Sequence, residues 1–474
     1  MPHGGNPKHS GSKPPQQQKP KHHLPRRRVT TSSSQIAINA AVTAAAVAIA
    51  AYAVWWVLPP ALRESLMAAL ATYTSRNSTS TSAVPVPDPY DDPALRVVGA
   101  LDKTVYERDL VSRHITPRTV LREHAGFHFN VSRRLSPGMC LGFVSPWSVR
   151  GEESAWRFGS KLTHLSPILY GVDSLGNLVM HEKPSWLAGL REGLSCPGCP
   201  PPAQLVPLVS LRGLDFATFF APDEGQEERA GKLLFALLQQ FVTVGLDGLV
   251  LDAHQYLARL DRPTRQLVAP KLHIFVQLLA SQLSQQDRAV DGSGGAGPDS
   301  PDGPGGTLLL IVPPHPELFS PRQFEQLAEP LGGFVLSTAN FSHIRGQPGP
   351  NAPLAWMRDA LAALSPKDSN RHKLLATLPL LGWDFTLPDG EPSASIDGEQ
   401  YLGLLRRHRP PRLDWHAEAA EHVFTYLDEG SSRHSVYYPS LKSLSERLGM
   451  LRGLGVGVAL YELGTGLDFF WDLL

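Results

Sequence analysis

Eight short apolar runs recur from Met139 onward. They are MCLGFV (139–144), HLSPILYGV (164–172), QLVPLVSL (204–211), VGLDGLVL (244–251), TLLLIV (307–312), GGFVLST (332–338), KLLATLPLL (373–381) and GVGVALY (455–461). They are continuous rather than alternating, which suits parallel strands buried on both faces. Between them lie segments such as Glu228–Val242 and Ser440–Leu454, with apolar residues near i, i+3, i+4 and i+7, the mark of helices with one buried face. Strands alternating with helices predict an α/β fold, a (β/α)8 TIM barrel over residues 138–474. A doubly wound open sheet is the runner-up, but no glycine-rich phosphate loop follows any strand. VDSLGNLVM, at the end of the second run, reads as a small hairpin at the barrel mouth. Asp287–Gly306 is low in complexity and reads as a surface insertion.

The N-terminal part follows another pattern. Residues 1–35 are rich in Pro, Gln, Ser and His, with basic residues culminating in Arg26-Arg27-Arg28. Such a composition cannot bury a core and is expected to be a disordered basic leader. Ile36–Leu58 is uncharged and ends on Trp55-Trp56. It is long enough to cross a ~30 Å hydrocarbon layer as a single transmembrane signal anchor. Nearby positive charge lies mostly before it, Arg63 excepted, which puts the leader in the cytosol and the barrel in the lumen or outside. Secretion follows if the anchor is cleaved. A cleaved signal peptide and a soluble Ala-rich helix are the alternatives. Residues 59–137 form a stalk and N-terminal extension. Asn77 and Asn130 head Asn-x-Ser/Thr glycosylation acceptor triplets.

Composition narrows the function classes. Among 474 residues, Lys+Arg and Asp+Glu number 44 each, so nothing points to nucleic acid. Three cysteines form no disulfide framework. Cys196-Pro197-Gly198-Cys199 lacks the helix start of a redox site and the second pair of a zinc site, which leaves a loop-tip bridge or nothing. No His, Cys and carboxylate set has ligand spacing, so neither a metal nor a cofactor is expected.

Chemistry in such barrels collects at the C-terminal strand ends. There LGFVSPWSVRG (141–151), FGSKLTHLSPI (158–168), IVPPHPELFSPRQFEQLAEPLGGF (311–334), QPGPNAPLAW (347–356) and YPSLKSL…GLGVGVALYELGTGLDFFWDLL (438–474) resemble glycoside hydrolase family 18. The likeness is nearest to its chitinase domain-containing protein 1 branch, the stabilin-interacting chitinase-like proteins. It covers about Leu110 to the C-terminus. The family's active strand reads DGxDxDxE. Asp247, Gly248 and Asp252 match it, whereas Val250 takes the second Asp position and His254 the place of the acid Glu. The resemblance implies substrate-assisted hydrolysis, in which that Glu protonates the leaving oxygen. Losing a general acid forfeits ~10²–10⁴ in rate. His254 is then a groove-lining polar residue, a sugar-stacking ring or a substitute acid. For Asp252, sugar contact and a structural role stand level, and Asp247 reads as structural.

The resemblance also places Ala339 and Asn340 at the family's Tyr-Asp pair, and Tyr461, followed by Glu462, at its floor Trp. The expected ligand contacts are therefore Trp147, Asp252, His254, Asn340, Trp383, Tyr461 and Glu462, with Phe216, Phe385 and Trp415 as further aromatic candidates. Three functions remain open. The first is a chitinase-like protein that binds chitin or N-acetylglucosamine oligosaccharides without hydrolysis. The second is a weakly active glycosidase whose acid is displaced, with Glu462 the candidate. The third is a membrane-anchored scaffold for an unknown protein partner.

Overall fold

The computed structural model describes residues 96–135, 138–182, 184–194, 203–286, 305–387 and 392–474. The basic leader, the apolar segment 36–58, Asn77, Cys196, Cys199 and nearly all of the low-complexity insertion lie outside the described residues. Among the described residues no helix is long and apolar enough to cross a membrane.

All eight apolar runs form parallel strands. They are β1 (Cys140–Val144), β2 (His164–Val172), β3 (Leu208–Ser210), β4 (Gly248–Asp252), β5 (Thr307–Val312), β6 (Gly333–Leu336), β7 (Leu374–Pro379) and β8 (Gly457–Tyr461). Each pairs with the next, β8 pairs β1, and the sheet closes on itself as a barrel. Helices follow most strands, including Gln226–Val244, Arg262–Gln285, Leu354–Leu364 and Leu441–Gly453. The expected hairpin is present, with Leu178–Met180 running antiparallel to the end of β2.

Alternation along each strand explains the apolar runs. Leu141, Phe143, Leu208, Val250, Leu309, Val335, Leu375 and Ala459 point inward and fill the barrel. Their neighbours, such as Leu249, Leu251, Leu308 and Leu310, point outward and pack with the helices in a second core. Side chains on a strand alternate between faces, so two-sided burial demands apolar residues throughout. Space is tight where strands meet: a Cβ on Gly248 would stand 2.1 Å from the Thr307 carbonyl oxygen.

One feature escaped the sequence reading. Between β7 and β8 the chain builds a separate five-stranded antiparallel sheet, in the order 392–396, 382–387, 433–437, 421–427 and 414–416. Its buried charged residues are partnered, although Trp415 Nε1 is not. Arg447, on the helix Leu441–Gly453, reaches Glu421 at 2.7 Å and also donates to the carbonyls of Ala352, Ala419 and Ala420. Asp384 accepts from Tyr426 at 2.5 Å and meets His434 Nδ1 at 3.0 Å.

The N-terminal extension shares the barrel's outer core through Val105, Leu110, Val120, Leu121 and Phe127. Strand Val98–Leu101 pairs in parallel with Ala125–His128. Asp472, near the C-terminus, accepts from the backbone of Val105 and His128 and pairs with Arg108. Asn130 is exposed in the turn that follows.

Candidate functional site

The C-terminal strand ends surround a cavity of about 1340 Å³. That exceeds the roughly 300–1,000 Å³ of ordinary small-molecule sites and leaves room for several sugar rings. Its floor comes from the inward positions of the strands, and its rim from the loops after β1 to β4, the hairpin and the segment after β6.

Asp252 reaches the floor by register. Val250 points into the barrel core, so the residue two further along β4 lies on the same face, one layer higher. Its carboxylate is buried and met by local donors on both oxygens, with acceptor capacity to spare. Gln255 Nε2 lies 2.6 Å from both oxygens, and Tyr256 donates to Oδ2 at 2.5 Å. Ser210, opposite Asp252 across the β3–β4 pair, meets the Tyr256 hydroxyl at 3.0 Å. Burial pushes the Asp252 carboxyl up to about 6 against the pull of these donors and of Arg259 and Arg212. Above that pH the group is an anion framed by donors, suited to accepting a hydrogen bond.

His254 does not share this floor, and the groove role expected of it is corrected. Backbone alternation stops at Ala253 (φ −135°, ψ −50°), and a 3-10 turn begins at His254. The ring turns into the wall, fully buried, edge-on to Phe319 at 5.0 Å. Neither ring nitrogen has a partner. Burial, with a smaller contribution from nearby His273, pushes the imidazole down to about 3, so it is neutral at ordinary pH. The next two residues, Gln255 and Tyr256, line the cavity instead.

The other expected contacts divide. Trp147, Asn340, Tyr461 and Glu462 line the cavity. Trp147 stands on the loop after β1 with 67% of its surface exposed. Tyr461 ends β8 and meets Phe143 edge-on at 5.9 Å. Ser145, just past β1, donates to the Glu462 carboxylate across the β8–β1 seam, and burial raises that carboxyl from its ordinary value. Trp383 is absent from the lining: it stacks on His343 at 3.9 Å and its Nε1 donates to Asn340 Oδ1 at 3.1 Å. It positions Asn340 rather than facing the cavity, because it belongs to the inserted sheet. Phe216 and Phe385 are core residues, and Trp415 packs in the inserted sheet against His422 beneath Arg113. Asp247 holds the bottom of the barrel, where its Oδ2 accepts from Leu205 N at 2.7 Å.

Residues that the sequence reading missed are Ser210, Arg212, Gln255, Tyr256 and Arg259. Ser210 ends a strand and was within reach of the strand-end rule. The others lie on turns, where no periodicity reports direction.

No family profile matches the chain. It is similar to an uncharacterized glycosylase, YvbX, of Bacillus subtilis (strain 168), at 24% identity over 132 residues, 28% of this chain and 38% of that relative. The matched part is thus well under two thirds of the relative's length. The fold resembles the spore cortex-lytic enzyme SleL of Bacillus cereus, with TM-score 0.54, 15% identity, and 71% and 73% of the two chains covered. It also resembles a mutant class V chitinase from Nicotiana tobaccum solved in complex with NAG4, with TM-score 0.53, 13% identity, and 71% and 97% covered. At these identities the likeness establishes the fold alone, a (β/α)8 barrel.

Proposed function

We propose that the barrel is a member of glycoside hydrolase family 18, in the chitinase domain-containing protein 1 branch, that holds N-acetylglucosamine oligosaccharides without cleaving them. The observation that carries this reading is the floor itself. Asp252 presents a donor-framed carboxylate to the cavity, while the position of the family's acid is a neutral imidazole turned into the wall. Hydrolysis needs a proton on the leaving oxygen, and His254, a neutral imidazole without an acidic proton at ordinary pH, does not reach the cavity. Binding needs less. Trp147 and Tyr461 offer flat faces to sugar C–H groups, and Asp252 and Asn340 offer polar atoms to hydroxyl and acetamido groups. The NAG4 complex of a chitinase with this fold supports the choice of ligand.

Glu462 sustains a second reading, a weak glycosidase. It lines the cavity and its carboxyl is raised by burial, as a proton donor's must be. Calorimetric titration of the full-length chain with chitotetraose, paired with a fluorogenic chitobioside assay, separates the two. Saturable binding without turnover is expected. Turnover that vanishes in Glu462→Gln establishes the glycosidase. The segment Ile36–Leu58 and its basic leader fit a single-pass tether with the barrel on the luminal or extracellular side. Protease protection in sealed vesicles tests that orientation.

A further inference from the structure

The cavity carries two guanidinium groups that a neutral chitin chain does not require. Arg212 follows β3 and Arg259 follows β4, and both line the cavity. The loops are tied together, since Arg259 Nη1 donates to the Arg212 carbonyl at 3.0 Å. The Arg259 guanidinium lies over the Tyr256 ring, 4.7 Å from its centre, which holds it beside the floor. Both cations act on the Asp252 carboxyl, and Arg212 also acts on Tyr461, so they sit within electrostatic reach of the floor.

The carboxylates of the same cavity are already served. Asp173 accepts from the backbone of Leu175 and Asn177 and from the Asn177 amide within its own hairpin. Glu462 takes the Ser145 hydroxyl, and Asp252 takes Gln255 and Tyr256. The exposed Arg212 side chain makes no hydrogen bond or ion pair among the described residues. An unpaired guanidinium at a cavity rim is a donor-only fork, matched in shape and charge by a planar carboxylate or a sulfate. A neutral N-acetylglucosamine offers it only uncharged oxygens, of hydroxyl, ring and acetamido groups, without the charge that assists the bond.

We infer that the groove prefers an acidic glycan, one whose sugars carry a carboxylate or a sulfate, with Arg212 as its principal anchor and Arg259 beside it. The inference rests on the proposed glycan-binding role of this cavity. Where N-acetylglucosamine units alternate with acidic or sulfated residues, the floor takes the acetamido sugar and the rim takes the anion.

The test is titration of the full-length chain with three tetrasaccharides: chitotetraose, a hyaluronan fragment (carboxylate, no sulfate) and a keratan sulfate fragment (sulfate, no carboxylate). At low salt at least one acidic probe is expected to bind roughly five- to tenfold tighter than chitotetraose, as a partly exposed charge-assisted contact supplies. The preferred acidic probe identifies the group. The ratio of acidic to neutral affinity is expected to shrink with added salt. It should fall to near one in Arg212→Gln and recover in part in Arg212→Lys. Chitotetraose binding as tightly as both acidic probes overturns the inference and leaves the groove reading intact. A preference that survives Arg212→Gln also overturns it. Binding of none of the three overturns the groove reading and the inference together.

Discussion

Tyr256 donates a hydrogen bond from its phenol to Asp252 Oδ2 across 2.5 Å, while the Gln255 amide lies 2.6 Å from both carboxylate oxygens. The three residues lie on one short turn after β4, so the carboxylate is framed by its own chain rather than by a distant partner. Donors on both oxygens hold it as an acceptor. Burial works against them and places its titration at about 6.

A pH dependence of binding follows. As pH falls through about 6 the Asp252 carboxyl gains a proton and its capacity to accept from a sugar weakens. Chitotetraose affinity is expected to drop across that range and to be flat there in Asp252→Asn. Tyr256→Phe removes a donor that favours the anion, so its midpoint is expected above that of the wild type. Titration calorimetry between pH 4.5 and 8, roughly two units either side of the midpoint, checks both.

The same group shapes stability with the opposite slope. Its folded pKa of about 6 lies above the ordinary value of 3.8. The native state therefore holds the proton more tightly, and the stability this contributes is full below the ordinary value and lost as pH rises through about 6. Moving a carboxyl from about 4 to about 6 is worth roughly 3 kcal/mol. Urea unfolding of wild type and Asp252→Asn across this window is expected to show a wild-type-specific loss up to that size.

His254 tests the wall. It is buried beside Phe319 with both ring nitrogens unpartnered. An unsatisfied buried polar group costs about 1–3 kcal/mol. His254→Leu is expected to raise stability in urea by that order and to leave chitotetraose affinity within about twofold, since the ring does not reach the cavity. His254→Glu is expected to destabilise the fold without conferring hydrolysis, because the new carboxyl points into the wall.

Trp147 tests the rim. With 67% of its surface exposed it contributes little to the core. Trp147→Ala is expected to weaken chitotetraose binding roughly tenfold through loss of ring stacking, with stability changed by no more than about 0.5 kcal/mol. Parallel calorimetry and thermal melts separate these effects.

Arg447 tests the inserted sheet. Its guanidinium is buried against Glu421 and four carbonyls, those of Ala352, Ala419, Ala420 and Ser443. Arg447→Ala strands the Glu421 charge, and breaking a buried pair from one side costs about 3–5 kcal/mol. Unfolding of the variant in urea should show a loss of that order.

The barrel was legible because its strands are buried on both faces, which leaves continuous apolar runs such as TLLLIV and KLLATLPLL. The inserted sheet was not, because segments such as EHVFTYL and RHSVY bury Glu421, His422, His434 and Ser435 with partners rather than apolar side chains. At the site, the strand-end rule and the family resemblance pointed to Asp252 and Tyr461, and both line the cavity. The motif match misled at His254, because the turn at Ala253 takes that ring out of the lining and brings in Gln255 and Tyr256. Trp383 was misplaced for a related reason: it follows β7 in sequence but belongs to another sheet. The isolated charges of Arg212 and Arg259 have no sequence pattern at all, and only the cavity brings them together.

The most direct measurement is mass spectrometry of chitotetraose after prolonged incubation with saturating full-length protein, in a sample where occupancy of the groove has been verified by titration. Intact tetrasaccharide, bound and unshortened, is the result expected of a groove that has lost its proton donor. Accumulation of shorter oligomers at a rate set by the protein, and abolished by Asp252→Asn, contradicts it.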